Sequence, residues 1–374
     1  IYSSADIIIV DIQFDISYLK ENPMLEFDGF EDAIRTIGRQ VNPKTLILVE
    51  TTVPPGTCEK IVVPTLFTEL KKRDIDTDSV HVAHSFERVM PGEDYLASIT
   101  DYWRVFAGHT KKAGDICERF LKNVVNIEKY PLTRSSSTNA SETAKVLENT
   151  YRATNIAFID EWTKYAESIG IDLFEIIDAI KKRPTHSNIR FPGLGVGGYC
   201  LTKDPTFTPA AVKQLFGKEL EFPFSNMAIQ VNHDMPMHTL ARLKSLINAP
   251  IVGKRLLVCG VSYRQDVGDT RYSPSEILVS EMIKQGAVVT CHDPYITFWE
   301  ELDIDLTEQM PKAGDFDAVV FAVPHRHYRE LDLASWGKNT VLVLDANYVF
   351  SNGQREAARV QGIRVESIGR GNGL

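Results

Sequence analysis

Arg255-Leu256-Leu257-Val258-Cys259-Gly260-Val261, well past the middle of the chain, is an apolar run that stops at a glycine. A short run of this kind, closed by a turn residue, reads as a buried strand. A helical pattern from about Ser275 to Gln285 follows, then Val288-Val289-Thr290-Cys291-His292-Asp293-Pro294, then two apolar strand cores, Ala318–Val323 and Val341–Asp345. Strand alternating with helix is the pattern of a doubly wound, mostly parallel sheet. The first third of the chain reads the same way. Its strand candidates are Asp6–Val10, Thr45–Thr51, Val80–His84, Trp103–Ala107 and Val125–Tyr130, with helices from about Phe30 to Gln40 and from Lys111 to Asn123.

Between these halves lies a helical region. Ser136–Gly170 has no proline, its only glycine is the last residue, and Val146, Leu147, Ala153, Ile156, Ala157, Ile159, Trp162 and Ala166 recur at helical spacing. Ile171–Lys182 reads as a second helix, and Pro223 to about Asn248 as one or two more. The expected fold class is α/β: two doubly wound, Rossmann-like domains (1–134 and 250–374) joined by a central helical domain (135–249) with a long helix. A helix of that length with an apolar face is expected to bridge domains and to form a homodimer interface.

The chain has 374 residues, 43% hydrophobic and 24% charged, with a net charge of -9. A negative balance argues against nucleic acid as a partner, since phosphate neutralisation needs a basic face. No apolar run approaches the roughly 20 residues of a membrane span. The five cysteines (Cys58, Cys117, Cys200, Cys259 and Cys291) are scattered and include no CxxC pair, which fits a reducing cytoplasm better than a disulfide or zinc framework. Ile1-Tyr2-Ser3-Ser4-Ala5-Asp6 runs straight into the strand-like Ile7-Ile8-Ile9-Val10 without an initiator Met, so the natural beginning is expected to be missing. A GxGxxG turn between strand and helix is absent, because Gly193-Leu194-Gly195-Val196-Gly197-Gly198 does not follow a strand. In a nicotinamide enzyme, that phosphate-binding unit would belong to the missing segment.

Two constellations point to chemistry. Gly195-Val196-Gly197-Gly198-Tyr199-Cys200-Leu201-Thr202-Lys203-Asp204 ends a glycine-rich turn on a cysteine, with a carboxylate four residues on. If a helix starts at Cys200, the two share a face, and the thiol is a candidate nucleophile. The plain alternative is a buried, inert cysteine. Lys145 and Asn149 stand at i and i+4 on the long helix and face the same way. The pairs His81/His84 and His325/His327 lack a carboxylate or thiol at ligand spacing and read as structural, with no metal implied.

Five segments in order resemble the UDP-glucose/UDP-N-acetylhexosamine 6-dehydrogenase family. They are Glu50-Thr51-Thr52-Val53-Pro54-Pro55-Gly56-Thr57, Ser85-Phe86-Glu87-Arg88-Val89-Met90-Pro91-Gly92, Lys145-Val146-Leu147-Glu148-Asn149-Thr150-Tyr151, the Cys200 loop, and Gly260–Pro274 with its Asp269-Thr270-Arg271. The resemblance implies oxidation of a UDP-sugar at C6 to a carboxylate with two NAD. It implies Cys200 as the covalent nucleophile, forming a thiohemiacetal and then a thioester. Lys145 and Asn149 would stabilise charge on the reacting oxygen, Asp204 would move a proton or orient water, and Glu87 and Thr52 would handle water in hydrolysis. Substrate binding would fall to Arg88, Phe191, Gly193, Gly197, Tyr263 and Arg264, and cofactor binding to Thr52, Glu87, Cys200, Lys203 and Arg271.

Four departures stand out: Phe86 replaces the proline usual before the glutamate, Arg264 replaces a lysine, Tyr199 replaces the histidine expected before the cysteine in the N-acetylhexosamine branch, and Leu201-Thr202-Lys203 also differs from that branch. The Arg88-Val89 and Pro91-Gly92 pairs lean toward a UDP-N-acetylhexosamine. UDP-glucose oxidation, a β-hydroxyacid-type dehydrogenase and a non-catalytic nucleotide-sugar-binding protein stay open as alternatives.

Overall fold

The structure, a computed structural model, describes residues 2–14, 16–19, 22–90, 92, 94–338 and 342–373. Ile1, Pro91 of the Ser85–Gly92 motif and Val341 of the Val341–Asp345 strand candidate lie outside the described residues. The chain divides into two compact units, one of residues 1–150 and 203–223, the other of 151–202 and 224–374.

Along the chain come β1 (Ile7–Val10), a hairpin of β2 (Ile16–Leu19) and β3 (Asn22–Leu25), α1 (Asp28–Gly38), β4 (Leu46–Val49), a π-helical turn (Cys58–Val62) leading into α2 (Val63–Lys71), β5 (His81–Phe86), α3 (Tyr95–Thr100), β6 (Val105–Gly108), α4 (Lys111–Val124) and β7 (Thr133–Arg134). The helical region holds α5 (Thr138–Ile169), α6 (Leu173–Lys181), α7 (Phe207–Gln214) and α8 (Pro223–Ile247). Then follow β8 (Arg255–Cys259), α9 (Pro274–Lys284), β9 (Val288–His292), the short pair β10 (Phe298–Trp299) and β11 (Ile304–Asp305), β12 (Ala318–Phe321), α10 (Arg326–Arg329), α11 (Leu333–Trp336), β13 (Val343–Asp345), α12 (Asn352–Val360) and β14 (Val365–Ser367).

The first unit holds a sheet in the order β1-β4-β5-β6-β7. All four residues of β4 are apolar because the sheet is covered on both sides. Ile47 and Val49 meet Ile34 and Leu66 on one face, while Leu46 and Leu48 meet Cys117 and Leu121 on the other. Fully burying each such side chain stabilises by about 1.5–3 kcal/mol. The second unit holds β14-β13-β12-β8-β9, parallel throughout. Its strands alternate likewise: Leu256 and Val258 pack with Leu278 and Met282, and Leu257 and Cys259 with Tyr328 and Phe350. The α/β class with two such sheets and a long helix is as expected.

Several details differ from the sequence reading. Val125–Tyr130 is not a strand: the Tyr130 N–H returns to Asn126 O at 2.9 Å, closing a turn, and the sheet resumes at β7. β6 runs antiparallel to β5, an exception to the parallel pattern. The β2–β3 hairpin had no sequence signal, and Gln214 of α7 secures it by pairing with both the N–H and the carbonyl of Leu25. Pro223–Ile247, expected as one or two helices, is one, with Pro236 inside it.

β5 carries two buried histidines that no packing rule predicts. His84 is fully buried, its Nδ1 pairs with Ser141 Oγ, and its Nε2 has no partner. Burial, reinforced by the positive charge of Lys145, holds His84 down to about 3. It therefore stays neutral in the folded chain while titrating near 6.5 when unfolded, so its contribution to stability is lost as pH falls below 6.5. Comparing His84→Gln with the parent by urea unfolding at pH 7.5 and pH 5.0, the parent is expected to lose about 2 kcal/mol more on acidification.

Candidate active site

In the first unit the candidate chemistry gathers on one face of α5. Lys145 donates from Nζ to Glu87 O at 2.9 Å, at the carboxyl end of β5, and lies 5.5 Å from the Phe86 ring centroid. One turn on, Asn149 donates from Nδ2 to Asp204 Oδ2 at 2.7 Å. The other Asp204 oxygen takes Lys203 Nζ at 3.2 Å, and that ammonium also sits 4.3 Å from the Phe207 ring centroid. Asp204 is completely buried. Burial pushes its carboxyl up, against the opposing pull of Lys203, Asn149 and Lys145. A carboxylate placed this way fixes the Asn149 carboxamide and leaves Lys145 on the same helical face, a set of donors suited to a developing oxyanion.

Glu87 is half-buried, and one of its oxygens accepts from the Val89 N–H. Arg88 does not pair with Glu87. Its guanidinium grips Glu148 of α5, with Nη2 at 2.8 Å and Nε at 3.0 Å, and donates to Trp103 O. Thr52 follows the carboxyl end of β4, half-buried, ahead of the buried Val53–Cys58 loop. Glu148 and Glu142 escaped the sequence reading, although both stand three residues from Lys145 on one helical face.

In the second unit, no helix begins at Cys200. Residues 199–203 form turns and a 3₁₀ turn starts at Asp204. The expectation that one helix sets Cys200 and Asp204 on a common face is therefore corrected, and the two residues belong to different units. Cys200 is exposed, whereas Cys58, Cys117, Cys259 and Cys291 are buried, which removes the reading of Cys200 as an inert core thiol.

The glycines before Cys200 serve close packing. A Cβ on Gly197 would lie 2.9 Å from Tyr263 Cβ and 2.8 Å from Pro274 Cδ, and one on Gly198 would lie 2.7 Å from the Tyr263 ring. Tyr263 is thereby set against the cysteine loop. Its phenol is pushed up by burial first, with the charge of Asp269 adding to it. The half-buried Arg264 sits on the same loop, which Asp293 and His325 pin at both ends. One Asp293 oxygen accepts from the N–H groups of Val261 and Ser262, from the Ser262 hydroxyl and from His325 Nε2. His325 Nδ1 in turn accepts from the Asp266 N–H.

Arg271 is held by Asp269 at 2.7 Å. Gly193 lies against Asn347, and Phe191 stacks on Phe174 and Tyr348 with Lys181 Nζ 3.8 Å from its centroid. Among the described residues, no group of three or more His, Cys, Asp or Glu could hold a metal ion. Nor is any described helix long and apolar enough to cross a membrane.

The buried Asp204 makes a clear prediction. Asp204→Ala takes the carboxylate from the buried Asn149 amide and breaks the buried ion pair with Lys203, so denaturant unfolding is expected to show a loss of about 3–5 kcal/mol. Asp204→Asn, which keeps the volume, should cost less.

Comparison with known proteins gives these sites a family. Domain models of the UDP-glucose/GDP-mannose dehydrogenase family match in chain order: the NAD binding domain over residues 3–125, the central domain over 139–234 and the UDP binding domain over 257–352. The UDP-N-acetyl-D-mannosamine dehydrogenase of Methanocaldococcus jannaschii is 32% identical over 363 residues, 93% of this chain and 78% of that protein. The structure of the UDP-D-ManNAc dehydrogenase of Pyrococcus horikoshii is similar with a TM-score of 0.83 at 26% identity, covering 98% of this chain and 82% of the other. That of the NDP-N-acetyl-D-galactosaminuronic acid dehydrogenase of Methanosarcina mazei is similar with a TM-score of 0.82 at 27% identity, covering 99% and 78%. The chain belongs to the UDP-glucose/GDP-mannose dehydrogenase family and is an NAD-dependent oxidoreductase acting on a UDP-sugar.

Proposed function

We propose that the chain oxidises the C6 hydroxyl of a UDP-N-acetylhexosamine to a carboxylate in two NAD-dependent steps, with Cys200 as the covalent nucleophile. The observation that carries this reading is the ordered, buried set of Lys145, Asn149 and Asp204. The substrate branch draws support from relatives named for N-acetylated mannosamine and galactosaminuronic acid sugars. The carboxyl ends of the parallel strands β1, β4 and β5 lie at one edge of their sheet, the edge at which such sheets take nucleotides. Thr52 and Glu87 follow two of those ends, which fits them to hold NAD, and Cys200, Lys203 and Arg271 are also assigned to the cofactor. NAD, when bound, supplies the hydride acceptor for both oxidations.

Lys145 and Asn149 donate to the sugar C6 oxygen as the alcohol becomes an aldehyde. The Cys200 thiolate then adds to the aldehyde carbon, and the same donors take the resulting alkoxide. Oxidation of that adduct leaves a thioester, which water splits to the carboxylate, returning the thiolate. Thr52 and Glu87 orient the water, and Asp204 assists the proton transfer. Substrate binding is assigned to Phe191, Gly193, Gly197, Tyr263 and Arg264 in the second unit and to Arg88 in the first, where Arg88 is held on Glu148. The cysteine pattern fits a cytoplasmic setting.

A homodimer is part of the proposal. In the second unit α5 leaves Tyr151, Phe158, Trp162, Tyr165 and Ile169 exposed, at steps of seven, four, three and four residues along one helical face. Light scattering should give twice the monomer mass; a monomer mass at all concentrations would sink the dimer.

The central test counts NADH per sugar in the full-length protein. Two per UDP-N-acetylhexosamine are expected, with loss of the second in Cys200→Ala. Asn149→Ala should lower kcat by about 10²–10³-fold. One NADH per sugar in the parent would demote Cys200, and preference for UDP-glucose would overturn the N-acetyl assignment.

A further inference from the structure

One buried carboxylate has no part in the chemistry above. Glu142 lies on α5 one turn before Lys145, completely buried. Its Oε2 accepts from the Gly56 N–H at 2.6 Å and its Oε1 from the Cys58 N–H at 2.8 Å. These are the amides that the Thr51–Cys58 loop cannot satisfy itself. Pro54 and Pro55 have no N–H to give, and the Thr57 N–H and hydroxyl both turn back to Pro54 O. Cys58 opens the helical stretch that continues through α2, so its amide is one of the unpaired donors at a helix start, where negative charge is favoured. From the other side the loop rests on Phe216. Gly56 has φ +95, and a Cβ there would lie 2.7 Å from the Phe216 ring.

We infer that Glu142 is a positioning residue: its two-oxygen grip on Gly56 and Cys58 holds the loop that begins at Thr52 in register with Lys145 on the same helix. Only a carboxylate does this with both oxygens, because an amide would turn its NH₂ against one of the two N–H groups. The choice is costly. Burial pushes the carboxyl up to about 7, against the hydrogen bonds from Cys58 and Gly56. An apolar residue at 142 would avoid that cost and leave two buried amides unpaired. The inference rests on the proposed role of Thr52 for its consequence, and on the hydrogen bonds alone for its geometry.

The test is a double-mutant cycle on NAD-dependent turnover in the full-length protein, with Glu142→Gln, Thr52→Ala and the pair. Glu142→Gln is expected to lower kcat about tenfold with KM for the UDP-sugar nearly unchanged, a modest share of what misplacing a group by about 1 Å can cost. Added to Thr52→Ala it should do little more, since both disable one device. Amide exchange at Gly56 and Cys58 should quicken in the Glu142 variant.

Glu142→Asp serves as the second variant, for a Gln chain that does not fold. It keeps the charge but is too short to reach both amides, so the same kcat loss is expected. An unchanged kcat in a folded Gln or Asp variant overturns the inference. So do losses that multiply with Thr52→Ala, or a loss when Thr52→Ala has none. Because the cycle reads overall turnover, its outcome is separate from that of the NADH count, which decides the role of Cys200.

Discussion

The Asp204 carboxylate is the constraint on which the first unit's site depends. A buried carboxylate must be paired, and this one divides its oxygens between Asn149 and Lys203. That division ties α5 to the turn opening the Asp204–Gln214 stretch, and it fixes which way the carboxamide presents its remaining polar atoms. Lys145 then needs only the Glu87 carbonyl to complete its placement. The helix supplies periodicity, and the distant acid supplies orientation.

The sheets in turn explain why the helix can carry such polar freight. Parallel strands covered on both faces concentrate apolar packing at Leu46–Val49 and at Leu256–Cys259. With stability supplied there, the ends of the strands are left for loops. The Pro54–Pro55 loop after β4, Glu87 after β5 and the Val261–Asp266 loop after β8 all occupy such ends. In the second unit Asp293 and His325 do for Tyr263 and Arg264 what side chains on α5 do in the first: they satisfy loop amides, so that these half-buried members of the loop have defined positions.

Legibility in the sequence followed physical range. Strands with unbroken apolar cores and the long proline-free helix were readable because burial on two faces and a 3.6-residue period leave local marks. That Lys145 and Asn149 share one face of the helix was readable for the same reason. Val125–Tyr130 misled because Val125 and Ile127 offer an apolar alternation too short to outweigh a turn. The β2–β3 hairpin was invisible, since its support comes from Gln214, far along the chain. Arg88 was seen without its partner because Glu148 lies 60 residues away. The Cys200 to Asp204 spacing suggested a helix that the Pro205 turn does not make.

The burial of four thiols has a practical side. Thiolates, not thiols, react with alkylating reagents. Burial pushes Cys117 and Cys291 up to about 12 and Cys58 and Cys259 well above the ordinary thiol value, while Cys200 stands exposed. Of these five cysteines, Cys200 is the one expected to take a maleimide or iodoacetamide dye in the folded chain. A fluorophore could then be placed in the cysteine loop with Cys58, Cys117, Cys259 and Cys291 left in place.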